Sequence, residues 1–297
     1  MDLFIIIILL FLLVGLIGAI YCIIEAQLLQ ITYVKLSPSH TTKNDLSIID
    51  NISDEYSSTP SVSRPSECIR IIYFSDLHSE FCFFGEEKLE NTLASLLTKY
   101  NADAVVFGGD ICNKPKNIQK GIRYLSRIST YCSKNNIPFI GTTGNHDVGL
   151  TNDEINQCGF TNLNDKTVVL NGFEFRGVYD SGRHDRVWGT NPFQSHDNTT
   201  VLLSHNPDWI INAAEQNQLD NIDYMISGHI HGGQIRMPFA MENKLFRKDL
   251  LPKRDVVKGV FDGAGVKFFI SRGIGCVLVP FRFLSRPEIS LIDIRRK

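Results

Sequence analysis

The stretch Gly228-His229-Ile230-His231-Gly232-Gly233 sets two imidazoles one residue apart between glycines, directly after the apolar run Ile222 to Ile226. An apolar run of that length ending in glycine reads as a strand followed by a sharp turn. Side chains at i and i+2 of an extended chain point the same way, so both rings can face one cavity. Neutral imidazole is a common metal ligand. Further ligand types recur upstream, each after its own apolar run: Asp76-Leu77-His78, Gly109-Asp110, Gly144-Asn145-His146-Asp147 and Ser204-His205. An Asp-x-His triplet or a Gly-Asp pair alone arises by chance in many chains. Gly-Asn-His-Asp is more specific, and the whole series in this order is far beyond chance.

The elements that deliver these groups alternate. Cys68 to Phe74 reads as a buried strand. Glu86 to Tyr100 puts Leu89, Leu93, Leu96, Leu97 and Tyr100 on one helical face. Its first turn is acidic, where the helix dipole favours negative charge. Ala104 to Phe107 is the next strand, Ile118 to Ile128 a weaker helix, and Ile137 to Ile140 a third strand. Strand, helix, strand, helix, strand with a polar cluster after each strand is how an α/β enzyme assembles a site. Val168 to Val178 is a hairpin centred on Asn171-Gly172, a dipeptide that supplies the positive φ values such a turn requires. Val201 to Leu203, Phe268 to Ile270 and Ile289 to Ile294 complete the strands.

Composition sets the outer limits. The 297 residues are 43% hydrophobic and 21% charged, values that permit a sizeable core. A net charge of −2 gives no global basic field, so no nucleic-acid partner is expected. No obligate protein partner is inferred. The seven cysteines, Cys22, Cys68, Cys82, Cys112, Cys132, Cys158 and Cys276, are odd in number and have no metal-knuckle spacing. They read as thiols of a reducing compartment.

On these motifs the chain resembles the calcineurin-like metallophosphoesterases, from about Cys68 to Ile294. Gly-His-Ile-His-Gly-Gly-Gln-Ile-Arg-Met-Pro at 228–238, Ser271-Arg272-Gly273-Ile274-Gly275, Pro280-Phe281-Arg282 and Arg286-Pro287-Glu288 are similar to the membrane-associated bacterial branch of YkuE/YaeI type. The resemblance implies a four-layer α/β/β/α sandwich of two mixed sheets over residues 68–297. It implies that Asp76, His78 and His231 hold one divalent metal ion, that Asn145, His205 and His229 hold a second, and that Asp110 bridges both. His146 stays off the metals and faces the substrate as the catalytic residue. Carboxylate oxygen and imidazole suit Mn²⁺, expected first, or Fe or Zn²⁺. Two ions about 3.5–4 Å apart clamp an in-line phosphoryl displacement and activate a bridging hydroxide. The implied function is hydrolysis of a phosphoester or pyrophosphate in a small-molecule or lipid-linked substrate at the membrane. The alternative is a UDP-2,3-diacylglucosamine pyrophosphatase of lipid A synthesis. A catalytically silent, membrane-tethered binding scaffold is a further alternative, which the intact Asp110 and His146 oppose. Asp147 either orients the imidazole of His146 or is a turn residue.

The remaining features have bland readings beside sharper ones. Leu3 to Ile24 carries no charge and is long enough to cross a bilayer as a helix. A cleaved signal is the rival, but it wants a basic leading region and a shorter apolar core, and here Met1-Asp2 precedes the run. The expectation is therefore a single-pass anchor over 1–25, with an edge strand and flexible linker over 26–67. Lys35 and Lys43 follow the span, which leans the catalytic domain to the cytoplasmic side. His40, His184 and His196 read as solvated loop histidines. Pro238 to Gly265 mixes Phe239, Met241, Leu245, Phe246, Leu250 and Leu251 with Lys244, Arg247, Lys248, Lys253, Arg254 and Lys258. It reads as a charged surface loop or as a surface for anionic lipid and lipid-linked substrate.

Overall fold

The computed structural model describes residues 3–164, 166–180, 198–245 and 247–297. His184, His196 and Phe246 lie outside them. The chain runs α1 (Leu3–Glu25), β1 (Gln30–Leu36), β2 (Asp50–Asn51), β3 (Tyr56–Ser57), β4 (Cys68–Phe74), α2 (Glu86–Tyr100) and β5 (Ala104–Phe107). It continues through α3 (Ile118–Lys134), β6 (Phe139–Gly141), α4 (Asn152–Gln157), β7 (Thr161–Asn162), β8 (Thr167–Leu170) and β9 (Phe173–Val178). It closes with β10 (Thr199–Ser204), α5 (Trp209–Glu215), β11 (Tyr224–Ser227), α6 (Met241–Leu245), α7 (Leu250–Lys253), β12 (Gly259–Gly263), β13 (Val266–Ile270) and β14 (Glu288–Arg295).

Two seven-stranded mixed sheets result, ordered β3-β1-β14-β4-β5-β6-β7 and β2-β12-β13-β11-β10-β9-β8. Each has a parallel centre, β4-β5-β6-β7 in the first and β9-β10-β11-β13 in the second. Strands covered on both faces are apolar throughout, and β4 shows the consequence. Ile69, Ile71 and Tyr73 enter the core between the sheets, while Ile72 and Phe74 enter the core beneath α2 and α3. The outer face of the second sheet packs on α5, Leu251, Val256 and Val257. Helices, sheet, sheet, helices is the four-layer α/β/β/α order.

Three elements differ from their sequence readings. Helix α3 runs past Ile128 to Lys134, because Cys132 continues the buried face set by Leu125 and Ile128. Strand β1 is not at the edge: it pairs with β14 on one side and with β3 on the other. The stretch read as a flexible linker contributes to both sheets, since β2 pairs with β12 and β3 with β1. Leu46 and Ile49 pack on the core outside the second sheet, and Lys43 donates to the carbonyl of Leu219 at 3.2 Å. A buried fork ties β1 to its neighbours: Arg70 Nε and Nη2 reach the Asp293 carboxylate at 2.6 and 2.7 Å, and Tyr33 donates to it at 2.6 Å.

Helix α1 projects with its apolar side chains exposed and is long and apolar enough to cross a membrane, by length and composition. A signal sequence meets the same two criteria.

Candidate metal centre

Five neighbouring strand ends deliver the chemistry. Asp76 and His78 follow β4, Asp110 follows β5, and Asn145 and His146 follow β6 in a single 3-10 turn. From the second sheet, His205 follows β10, and His229 and His231 follow β11. These strands are the parallel centres of the two sheets, so their carboxyl ends open on one cleft, as in other α/β sites.

The side chains fall into two triads. Asp76, His78 and His231 form one, and Asp110, His205 and His229 the other; within each, one ligand atom per residue lies within 4.8 Å of the others. Asp110 Oδ2 stands between them, 3.4 Å from His78 Nε2 and 3.1 Å from His205 Nε2. Asn145 Oδ1 lies 2.8 Å from His229 Nδ1, beside the second triad. All seven residues read from the sequence as ligands therefore ring one cleft. His146 is beside them, its ring edge-on to His78 at 5.0 Å, and it lines the adjoining cavity.

The geometry fits cations at the centre of the triads. His205 donates from Nδ1 to the carbonyl of Gly108 at 2.7 Å, which fixes its tautomer and aims the Nε2 lone pair inward. That Nε2 is buried and makes no hydrogen bond among the described residues, despite its closeness to Asp110. His78 and His231 bring Nε2 within 3.2 Å of Nε2, with rings 26° from parallel. Two imidazole nitrogens this close in a buried site share one proton when the site is empty and can both turn to a cation when it is filled.

The electrostatics agree. Burial lowers His78 to about 4 despite the carboxylates of Asp110 and Asp76. Burial, then His78 and Arg282, hold His231 well below its ordinary value. Both rings are therefore neutral at physiological pH, the form that ligates. Burial also opposes charge on His205, but Asp110 and Asp76 outweigh it and raise that ring to about 10. The carboxylate pair thus draws positive charge into the site.

The backbone is shaped around the same point. Asp76, His78, Asp110, His229 and His231 all have positive φ, between 35° and 69°. That conformation costs a non-glycine residue about 1–3 kcal/mol and persists where surrounding structure enforces it. Gly144 lacks a side chain for a definite reason, because a Cβ there would collide with Asp110 Oδ1. Asp147 closes the 3-10 turn of residues 145–147, its N–H bonded to the carbonyl of Gly144 at 3.1 Å, and it does more than turn the chain. Its carboxylate accepts from the backbone N–H of Asp110, Ile111 and Gly144 at 2.8, 2.8 and 2.9 Å, locking two ligand loops together. His146 is held through Nδ1, 3.0 Å from the carbonyl of Asn113, which leaves Nε2 for the cavity.

That cavity holds about 460 Å³. One wall is apolar, with Ile235, Met237, Val277, Leu278 and Val279, and the other carries Arg247, Lys248 and Asp249. Asp249 lies 3.6 Å from His229 Nε2, and Arg247 3.5 Å from Asp249. Sequence reading missed Asp249 as a neighbour of the metal ligands. It placed Arg247 and Arg254 in a charged surface loop; Arg254 is exposed there, donating to the carbonyl of Leu46 at 3.2 Å, whereas Arg247 is half-buried and donates to the carbonyl of Ile230 at 2.7 Å. Only the chain's return to the cleft after α6 reveals this, and no local pattern encodes it.

A fold of this topology with this cluster of Asp and His side chains at its strand ends defines a metal-dependent phosphohydrolase. Residues 69–233 match the model of the calcineurin-like phosphoesterases, and the chain belongs to that family. It is similar to the uncharacterized metallophosphoesterase YkuE of Bacillus subtilis, 26% identical over 242 residues that cover 76% of this chain and 79% of that protein. It is similar to the uncharacterized metallophosphoesterase YkoQ of the same organism, 27% identical over 240 residues and covering 76% and 83% of the two chains. The phosphodiesterase YaeI of Escherichia coli K12 is 26% identical over 242 residues, 76% of this chain and 82% of its own. The chain is thus a metal-dependent phosphohydrolase of the calcineurin-like type.

Proposed function

We propose that this protein hydrolyses a phosphodiester or pyrophosphate at a membrane surface, with two divalent ions in the paired triads. Asp76, His78 and His231 would hold one ion, Asn145, His205 and His229 the other, with Asp110 shared. Bound there, the pair would supply Lewis-acid polarisation of the phosphoryl group and activation of the attacking water. The chain does the rest. Its two buried carboxylates offset the charge of the ions, and its four imidazoles fix their positions, His78 and His231 already neutral through burial. His146, tethered through Nδ1 to Asn113, presents Nε2 to the leaving oxygen and protonates it as bond cleavage proceeds. Arg247 and Lys248 give the cavity a positive wall for a second anionic group of the substrate.

The observation that carries this reading is Asp110 Oδ2 standing between the two triads with His146 alongside. Asp110→Ala removes the shared ligand and is expected to lose both metal binding and turnover of bis-nitrophenyl phosphate under Mn²⁺. His146→Ala is expected to keep both metals, counted by elemental analysis, and to lose about 10²–10⁴-fold in rate. Full activity in the first variant, or metal loss in the second, refutes the assignment.

The apolar wall favours a substrate with a hydrocarbon part beside its phosphate, and a UDP-linked diacyl sugar is one such molecule. Helix α1 is read as a retained anchor, with the catalytic domain on the cytoplasmic side. In support, all seven cysteines are free thiols, as a reducing compartment keeps them.

A further inference from the structure

Glu25 ends the apolar helix α1 and is the first charged residue after Asp2. It does not reach for solvent. Its side chain is buried, and its two carboxylate oxygens accept from consecutive backbone N–H groups: Oε2 from Leu284 and Oε1 from Ser285, each at 2.9 Å. One turn earlier, the carbonyl of Cys22 accepts from the N–H of Arg282 at 3.2 Å, and Tyr21 meets Phe283 edge-on at 5.8 Å. The last turn of α1 is therefore docked along residues 282–285.

Two of those residues, Arg282 and Ser285, hold His231 of the first triad from behind. Ser285 donates from Oγ to the carbonyl of the ligand His231 at 2.7 Å. Arg282, fully buried, places Nη2 3.3 Å from His231 Nδ1 and donates to the carbonyls of Gly273, at 3.2 Å, and of Gly275. Gly273 is packed against Asp76, so that a Cβ on it would strike the Asp76 side chain. Phe283 exchanges backbone hydrogen bonds with Gln234 and Arg236, just beyond the ligand turn. Glu25, loop 282–285 and the pair His231 and Asp76 thus form one contiguous chain of contacts.

We infer that Glu25 is a positioning residue that couples helix α1 to the metal triad of Asp76, His78 and His231 through loop 282–285. A buried carboxylate on two backbone donors is a directional clamp, and outer partners of metal ligands typically govern metal affinity by about 10–100-fold. The residues at the end of the apolar helix thereby set the geometry of the site, and the helix is part of the catalytic body rather than only a tether. This rests on the two-metal reading above.

The test uses the full chain in detergent micelles, titrated with Mn²⁺ alone and followed calorimetrically and by Mn²⁺ electron paramagnetic resonance. The wild type is expected to bind two ions. Glu25→Ala should weaken one of them about 10–100-fold, namely the ion lost in His231→Ala, and leave the other within twofold. Glu25→Gln keeps one acceptor and should fall between; it serves if the alanine variant does not fold. Ser285→Ala should weaken the same ion, and the double variant with Glu25→Ala should bind no worse than the weaker single one, because both act along one path. Wild-type affinity for both ions in both Glu25 variants overturns the coupling, as does equal weakening of the two ions. A wild type that binds no Mn²⁺ fails the two-metal reading instead.

Discussion

The ligand residues of this chain owe their positions to small residues and short hydrogen bonds beside them. Gly144 faces the Asp110 carboxylate so closely that even a methyl group would displace it. Its φ of −111° is open to any residue, so Gly144→Ala tests contact and not backbone strain. A Cβ there would also stand 2.8 Å from the Asp110 backbone nitrogen, so the variant is expected to fold with a lowered thermal midpoint even without metal, and to bind Mn²⁺ about 10–100-fold more weakly. A stepwise Mn²⁺ titration reads the change, and both ions should weaken because Asp110 is shared. At this scale the site was almost wholly legible from sequence. Each ligand lies inside a short motif at the end of an apolar run, where local chemistry and local structure coincide. Asp249, Arg247 and Glu25 were not legible, because each acts on residues distant in sequence: Glu25 bonds to Leu284 and Ser285, 259 and 260 positions on.

At the scale of elements, length and burial decided what could be read. Helix α2 and strands β4 and β5 are continuous in pattern, and their periodicity gave the observed bounds. Residues 37–67 are rich in Ser, Thr, Asn, Asp and Pro, and their strands are two residues long. Such strands are specified by partners, Asn51 opposite Phe261 and Tyr56 opposite Val34, and carry no local signal. The consequence is testable. A chain beginning at residue 66 lacks β1, β2 and β3, leaves β14 as an edge strand paired only with β4, and removes Tyr33 from the buried Arg70–Asp293 pair. Exposed apolar edges of that length recruit other chains. This truncation is expected to aggregate and to show no cooperative urea transition. Removal of residues 1–24 instead leaves every strand and Glu25 in place and should keep a single transition. A well-behaved, cooperative chain from residue 66 would show that the N-terminal strands are dispensable.

The whole molecule joins three features on one side of the second sheet's cleft. The end of α1 is fixed to loop 282–285, the cavity beside His146 has apolar lining, and large apolar side chains stand exposed on the segments that supply that lining. Phe239 is 87% exposed, Leu278 85% and Leu245 63%. Scattered apolar residues are ordinary on a protein surface, but these follow the cavity residues Met237 and Val277 along the chain and share the surface with the exposed Lys244 and Lys248. For a catalytic body held to a bilayer by α1, such a rim would enter the headgroup region while the lysines meet anionic lipid, each contributing roughly 1 kcal/mol. Phe239→Asp and Leu245→Asp, made together, remove two apolar tips without touching a metal ligand, and Asp tolerates the positive φ of 58° at position 239. Losing about 1.5–3 kcal/mol of burial per side chain predicts a fall of tenfold or more in kcat/KM for a phosphoester lipid in anionic vesicles. Hydrolysis of soluble bis-nitrophenyl phosphate by the same variant should stay within twofold, since that ester needs only the metal cleft. If both rates fell together, or neither fell, the rim would not be how this enzyme meets its substrate, and the cavity alone would have to account for selection.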